Sequence, residues 1–357
     1  MNPNAFAMRQ GQALHAHAAD PEPGSPAPSA APAPTGTVTG RAAAERPVPS
    51  VWALVLNFNS HDDTLGCVAA LRGSDYPGLH ILVLDNASPD GGGKLLQAAL
   101  CDDEFVQLPI NTGYAGGNNE GISRALAGGA RYVFIVNPDA RVAPHCVSRF
   151  VASCETDPGI GALNSIEVER DGVTIDPFFA RSVMADAGVV ALRADDTRIP
   201  AAFTAPRLFG AALFLPAHAI ERVGGFDPLY FAYWEEFDLC RRLQLHGYKL
   251  LVSSAAPVVH LRTNEHRGVS RFVVFLRLKS TYLERLKDPG VHFSVALRFV
   301  ARKFWRQLLR GGARNEYPFT LHKIDRGLIL QSGWWVLRHI VAIRRHRELE
   351  IRGRAHV

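Results

Sequence analysis

Residues 51–88 read VWALVLNFNSHDDTLGCVAALRGSDYPGLHILVLDNAS, and their rhythm decides the fold. VWALVLNFN (51–59) is a short apolar, β-branched run that ends in polar residues, and LHILVLDNAS (79–88) repeats the pattern. Between them Thr64 to Leu71 form an amphipathic stretch. Two such strands joined through a helix predict a βαβ unit. The alternation continues with a helix over GGGKLLQAAL (91–100), a strand over EFVQLPIN (104–111), a helix over GGNNEGISRALAGG (116–129) and a strand over RYVFIVNPDA (131–140). Strands recurring about every 25 residues imply an α/β fold with a largely parallel central sheet flanked by helices. Beyond Ile160 strands are expected near Gly161–Val168 and Phe209–Leu215. A helix is expected from about Glu236, with Leu239, Cys240 and Leu243 facing the core and Gly247 as its stop. Three or four more helices follow from Arg271.

The first 48 residues differ in kind. PEPGSPAPSAAPAPTGTVTG (21–40) has almost no large apolar side chains to offset the entropy of ordering, so residues 1–48 are expected to be a disordered Ala/Pro-rich tail. No charged segment followed by an apolar one marks it as a secretory signal. The remainder divides into an expected catalytic domain, 49–268, and a basic helical C-terminal region, 269–357. Five scattered cysteines without a C-x-x-C pair fit a reducing compartment and exclude a zinc ribbon. No apolar run reaches the roughly 18 residues that cross a bilayer. The expected location is cytoplasmic, or peripheral on the inner face of the cell membrane.

The chemistry-bearing residues cluster at strand ends, where open α/β sheets bind ligands. They are Asn57 to Ser60, DNASPDGGG (85–93), NTGYAGGNN (111–119) and Asn137-Pro138-Asp139. Asn/Asp/Gly/Pro clusters are ordinary turn formers, but four at one predicted sheet edge point to a ligand. Glycine-rich entries to helices can offer N–H groups to phosphate, and strand-end carboxylates can hold a ribose, a base or a divalent metal. LYFAYWEEFDLCRRLQLHGYKL (229–250) adds three carboxylates within four residues beside Tyr230, Phe231, Tyr233 and Trp234. An aromatic cradle and a like-charged neighbour both raise a carboxylate's pKa, which suits a general base. Asp238 instead suits an ion pair with Arg241 or Arg242, three and four residues on.

LVLNFNSHDDTLGCVAAL, ILVLDNASPDG, NTGYAGGNNEGI, FIVNPDARV, FGAALFLPAHAIERVGGFDPLYFAYWEEFDLCRRLQLHGYKL and VVHLRT occur in the order seen in family 2 glycosyltransferases. Over about residues 51–268 the chain resembles that family, and within it the rhamnosyltransferase-like branch. The resemblance implies a GT-A fold of the nucleotide-diphospho-sugar transferase type, an NDP-sugar donor, a divalent cation (Mg2+ or Mn2+) and inversion at the anomeric carbon. It implies that Asn57 and Asn59 line the nucleotide pocket, that Asp85 contacts the base with Asn86 beside it, and that Gly116, Gly117 and Asn118 lie against the ribose and diphosphate. Asp139 matches the last carboxylate of the family's D-x-D metal motif, of which Asn137-Pro138-Asp139 keeps one strong anionic ligand. Glu236 matches the catalytic base, with Glu235 as its rival, and His260 matches a late histidine that reaches the metal or diphosphate. Tyr233 and Trp234 are placed to stack on a sugar. Arg262 and Arg267 could meet phosphate or solvent. The implied acceptor is a glycan or a polyprenyl-linked glycan. A nucleotidyltransferase or a catalytically dead sugar-binding protein would use the same sheet, though the former calls for a basic glycine-rich first loop that LNFNSHDD lacks.

The net charge of +5 hides an asymmetry: residues 262–357 carry 21 Lys and Arg against 7 Asp and Glu, a surplus of 14, which leaves −9 for the rest. Arg298, Arg302, Arg306 and Arg310 recur every four residues beside a ridge of Leu297, Val300, Phe304 and Leu308, and Trp334 and Trp335 precede Arg338, Arg344, Arg345 and Arg347. A basic amphipathic helix with tryptophan suits an anionic membrane surface; packing on the catalytic domain suits it equally. No nucleic-acid module is recognisable, and no nucleic-acid partner is expected.

Overall fold

Alternate residues of the first strand enter different cores. In β1 (Val51–Asn57), Val51, Ala53 and Val55 belong to one apolar cluster, and Leu54 and Leu56 to another. Side chains alternate across a strand, so the unbroken apolar run of β1 reflects burial on both faces, as in parallel sheets covered by helices. The computed structural model describes residues 47–262, 270–310, 313–314 and 323–353. The expected tail up to residue 46, and Arg267, lie outside the described residues.

After β1 come α1 (His61–Arg72), β2 (Leu79–Asp85), α2 (Gly92–Ala99), β3 (Phe105–Gln107), α3 (Gly113–Ala127), β4 (Tyr132–Val136) and the short β5 (Ala140–Arg141). Then follow α4 (Cys146–Thr156), β6 (Ile160–Val168), a helical turn α5 (Pro177–Phe179), β7 (Ala202–Thr204), β8 (Ala212–Pro216), α6 (Ala217–Val223), α7 (Glu235–Leu245) and β9 (Lys249–His260). The sheet runs β3-β2-β1-β4-β8-β6-β9-β5, with β7 beside β9. β3, β2, β1 and β4 are parallel, β8 is antiparallel to β4 and β6, and β6 and β9 are parallel. This mixed, mostly parallel sheet flanked by helices is a GT-A fold. Because β1, β2 and β4 run the same way, the polar residues after them share one edge.

Among the described residues three further helices follow: α8 (Arg271–Lys287), α9 (Phe293–Arg310) and α10 (Arg326–Ile351). They bury their own cluster, including Val274, Leu283, Val300, Ile329 and Ile343, and Tyr230 from the aromatic segment joins it. A second attachment is ionic. The Lys287 ammonium sits fully buried among Asp227, Asp238 and Glu350, 2.8 Å from Asp238. Asp238 also pairs with Arg241 at 2.5 Å and Arg242 at 2.9 Å, as its sequence spacing suggested, and His346 meets Asp227 at 2.9 Å. The three carboxylates lie close enough to resemble a cation site, but the lysine fills it. Burial opposes the charge on Asp238, yet Lys287, Arg241 and Arg242 hold its carboxyl down to about 2.

Several elements went unread in the sequence, among them the short β5, α5, β7 and α6. The helix α4 was not anticipated. Nor was β9, whose twelve residues KLLVSSAAPVVH form the longest strand and pair with β5, β6 and β7. Its β-branched content after the Gly247 stop was the available signal.

Candidate active site

The strand-end loops are built by a buried polar network. Asn57 is fully buried at the end of β1 and donates to Asp85 Oδ1 at 2.6 Å, while its own carbonyl accepts from Thr64 at 2.8 Å. Asp85 also accepts from Ser88 Oγ (2.6 Å), Ser88 N (3.0 Å) and Gln107 Nε2 (2.7 Å). Burial raises its pKa, but these donors outweigh it and the carboxyl is held below its ordinary value. With about four acceptor directions on a carboxylate, Asp85 is saturated within the protein. In this structure it organises the loops and presents no spare acceptor to a base. Asn86 bridges to Asn111 and to the carbonyl of Gly113 at 3.0 Å each. Asn59, at φ +55°, donates its backbone N–H to Ser88, and its buried Oδ1 has no partner among the described residues.

Beside this network opens a cavity of about 620 Å³. Residues 97 apart in sequence meet in its wall: Asp139, after β4, and Glu236, in the first turn of α7. Asn86, Asn137, Tyr233, Glu235, His260 and Arg262 also line it, with Glu167 from β6. Phe178 and Phe209, stacked at 4.8 Å, form part of its apolar wall, and Phe231, Phe272 and Leu276 add more.

Glu235 and Glu236 are the least compensated charges here. Oε2 of each is buried and accepts no hydrogen bond. Burial, and then the charge of Glu236, push Glu235 well above the carboxylate range. Glu236 is pushed up to about 7, chiefly by burial, with Glu167 adding to it against backbone N–H groups that work the other way. The pair is presented by an unusual backbone: Tyr233 (φ +72°) and Trp234 (φ +75°) are consecutive left-handed residues without being glycine. Such conformations cost on the order of 1–3 kcal/mol each and gather at functional sites.

In the same cavity, His260 lies between two carboxylates. Its Nε2 is 3.4 Å from Asp139 Oδ1 and its Nδ1 is 3.0 Å from Glu167 Oε2. Burial disfavours the imidazolium, but Asp139 and Glu167 prevail and push the pKa up to about 10. The carboxyl of Asp139 is lowered in turn, since His260 and Arg262 outweigh its burial. Two cis ligands of an octahedral cation, at about 2.0–2.1 Å each, lie roughly 3 Å apart. The separation of Asp139 Oδ1 and His260 Nε2 and their oxygen–nitrogen chemistry fit one hard divalent ion once the imidazole gives up its Nε2 proton in exchange for it.

Seven expected contacts take other forms, for Asn57, Asn59 and Asp85 of the polar network are not among the residues that line the cavity. Gly116, Gly117 and Asn118 do not line the cavity: they lie within α3, where a Cβ on Gly117 would come 2.6 Å from Leu56 and one on Gly116 would come 2.7 Å from Thr112. Asn118 is fully buried and donates to the Tyr114 carbonyl at 3.0 Å. Gly117 lets the helix approach β1 closely, and Gly116 leaves room for the Thr112 side chain. Trp234 also lies off the cavity wall; it packs toward the C-terminal helices and edge-on to Phe237 at 5.2 Å, leaving Tyr233 as the one of the pair that faces in. Glu167 was missed altogether, because nothing in NSIEVERDG marks it locally.

The family description Glycosyl transferase family 2 matches residues 52–183, and Glycosyl transferase family group 2 matches residues 132–332. Among relatives, the N-acetylglucosaminyl-diphospho-decaprenol L-rhamnosyltransferase of Mycobacterium tuberculosis is 24% identical over 281 residues, which cover 71% of this chain and 85% of that one. The mannosyltransferase PcManGT from Pyrobaculum calidifontis, solved with GDP-Man and Mn2+, superposes with a TM-score of 0.52 at 18% identity, covering 85% of this chain and 86% of that one. TarS of S. aureus, solved with UDP-GlcNAc, gives 0.50 at 14% identity, covering 85% and 92%.

Proposed function

The chain belongs to glycosyl transferase family 2, and on that premise we propose that its cavity moves a sugar, with inversion, from an NDP-sugar to a hydroxyl of a cell-surface polysaccharide or lipid-linked glycan. Rhamnose from dTDP-rhamnose is the donor we favour, because the relative from Mycobacterium tuberculosis is named an L-rhamnosyltransferase. The observation that carries this reading is the meeting of Asp139 and Glu236 in one cavity.

In the proposed reaction the acceptor oxygen bonds to the anomeric carbon while the bond from that carbon to the diphosphate oxygen breaks. The acceptor proton passes to Glu236, and the electron pair leaves with the nucleoside diphosphate. An unaided alcohol is too weak an acid for this, so a carboxylate with a pKa near neutrality is matched to the task. Burial of the Glu236 carboxyl is the chief cause that holds that pKa up. Asp139 and His260 would hold a Mg2+ or Mn2+ ion, which when bound neutralises charge on the leaving diphosphate. The apolar wall of Phe178, Phe209 and Phe231 excludes water, and Tyr233 offers a ring face to a sugar.

We further infer a peripheral position on an anionic membrane surface. No helix among the described residues is long and apolar enough to cross a membrane. The expected ridge of α9 packs inward at Val300 and Phe304, but Phe299, Trp305 and Leu309 stand exposed beside Arg302 and Arg306. In α10, Leu330, Trp334, Leu337 and Val341 form an exposed stripe at helical spacing beside Arg338, Arg344 and Arg345. Apolar side chains interleaved with arginine match an interfacial helix.

The test of the transfer reading is to incubate the protein with a panel of NDP-sugars, acceptor extract and Mg2+ or Mn2+, and to measure released nucleoside diphosphate. Release that depends on acceptor and is lost in Glu236→Gln supports it. No release from any donor, or release unchanged by Glu236→Gln, overturns it.

A further inference from the structure

Glu167 is a buried carboxylate in the cavity wall with no part in the transfer described above. It is 0% exposed, it lines the cavity, and its Oε1 has no hydrogen-bond partner among the described residues. Its Oε2 faces His260 Nδ1 at 3.0 Å and Arg262 Nη2 at 3.8 Å. Three strands bring these groups together. β9 runs parallel to β6, with Glu167 opposite Val258 and Val168 opposite Val259. On its other side β9 pairs with β5, which sets His260 opposite Ala140, the residue after Asp139.

Resting on the transfer reading above, we propose that Glu167 is a positioning residue for His260. It accepts the Nδ1–H, fixes the ring plane and leaves Nε2 directed at Asp139, where the donor diphosphate and its cation bind. Two observations favour this over a purely architectural role. An architectural carboxylate would be expected to have both oxygens satisfied, as Asp85 has, whereas Oε1 of Glu167 is left open. Arg262, the other cation near it, already has a carboxylate in Asp176, 2.6 Å from its Nε. A carboxylate behind a metal-binding imidazole sets which nitrogen is presented, and its loss typically costs about 10–100-fold in affinity or activity.

The test uses the full chain without turnover. Binding of dTDP and of UDP in the presence of Mn2+ is measured by calorimetry for the wild type, Glu167→Ala, Glu167→Gln, His260→Ala and the Glu167→Ala/His260→Ala double variant. Glu167→Ala is expected to weaken binding about 10–100-fold, and Glu167→Gln to weaken it less, since its carbonyl can still accept from Nδ1. The double variant should be no weaker than His260→Ala alone, because a residue acting through another shows strong coupling in a cycle. The His260 ring Nδ1–H signal, seen by NMR with selective histidine labelling, should be lost in Glu167→Ala and kept in Glu167→Gln. Wild-type affinity in a folded Glu167→Ala, or losses that simply add in the double variant, would overturn the proposal and leave the transfer reading intact. If the wild type itself binds neither nucleotide, the choice of dTDP-rhamnose as donor fails and this proposal fails with it, while the panel of NDP-sugars decides the transfer reading separately.

Discussion

Replacing Lys287 with Met removes one charge from the buried ion cluster that ties α8 and α10 to α7. Among the described residues, three carboxylates (Asp227, Asp238, Glu350) face three Lys and Arg cations there (Lys287, Arg241, Arg242). Lys287→Met keeps the stem but leaves those carboxylates one cation short. Removing one partner from a buried pair costs about 3–5 kcal/mol, mostly because the opposite charge stays buried. At the lower limit of about 2 °C per kcal/mol for large domains, the thermal midpoint should drop by roughly 6–10 °C. Adding Glu350→Gln restores that match, so the double variant should be less destabilised than the two single changes added together, by about 1–3 kcal/mol. Urea unfolding, followed by tryptophan fluorescence and far-UV circular dichroism, measures all four proteins. The sign with pH follows from Asp238. Its carboxyl is depressed to about 2, so its contribution is complete above the unfolded value of about 3.9 and fades as pH falls from there toward 2. A Lys287→Met protein within 1 kcal/mol of wild type, or a double variant costing the full sum, would refute the charge-balance reasoning.

Three further outcomes are expected. Because the Glu236 carboxyl is pushed up to about 7 and only its ionised form accepts a proton, kcat/KM should rise with pH through about 7; Glu236→Gln should lower it by about 10²–10⁴, and a flat profile between pH 5.5 and 8.5 would count against this base. Gly113 has φ +75°, and a Cβ there would lie 2.1 Å from the Phe231 carbonyl oxygen, so Gly113→Ala should push that wall of the cavity outward and cost about 1–3 kcal/mol, read as a raised donor KM and a lower melting midpoint. The pair Trp305→Ala and Trp334→Ala should abolish co-sedimentation with vesicles containing phosphatidylglycerol while leaving release of nucleoside diphosphate with a soluble acceptor unchanged, and retained sedimentation would argue against a membrane-facing α9 and α10.

How legible each feature was follows from the range of the physics behind it. β1, β2 and β4 could be read because burial on both faces writes an unbroken apolar run into four to six consecutive residues. The shared edge of Asn57, Asp85 and Asp139 then followed from parallel topology. The carboxylate pair at 235–236 was visible because its aromatic neighbours are adjacent in the chain. Glu167 and its bond to His260 span 93 residues, and Lys287 and Asp227 are 60 apart; no local periodicity encodes such pairs. Side-chain direction was the other blind spot. Gly117 looks the same in sequence whether it cradles a phosphate or lets a helix approach Leu56, and the left-handed turn that parts Tyr233 from Trp234 leaves no mark in LYFAYWEEF.

That turn also sets what laboratory selection can be expected to find. Glycine at 233 would relieve an unfavourable conformation and so gain heat tolerance, at the same moment that it slackens the mount of the two glutamates; at 234 the lost packing of the tryptophan against the C-terminal helices would outweigh that relief. A campaign that ranks variants by melting temperature alone would therefore gather its winners here and harvest sluggish catalysts. Scored for turnover, the same two positions should resist every change.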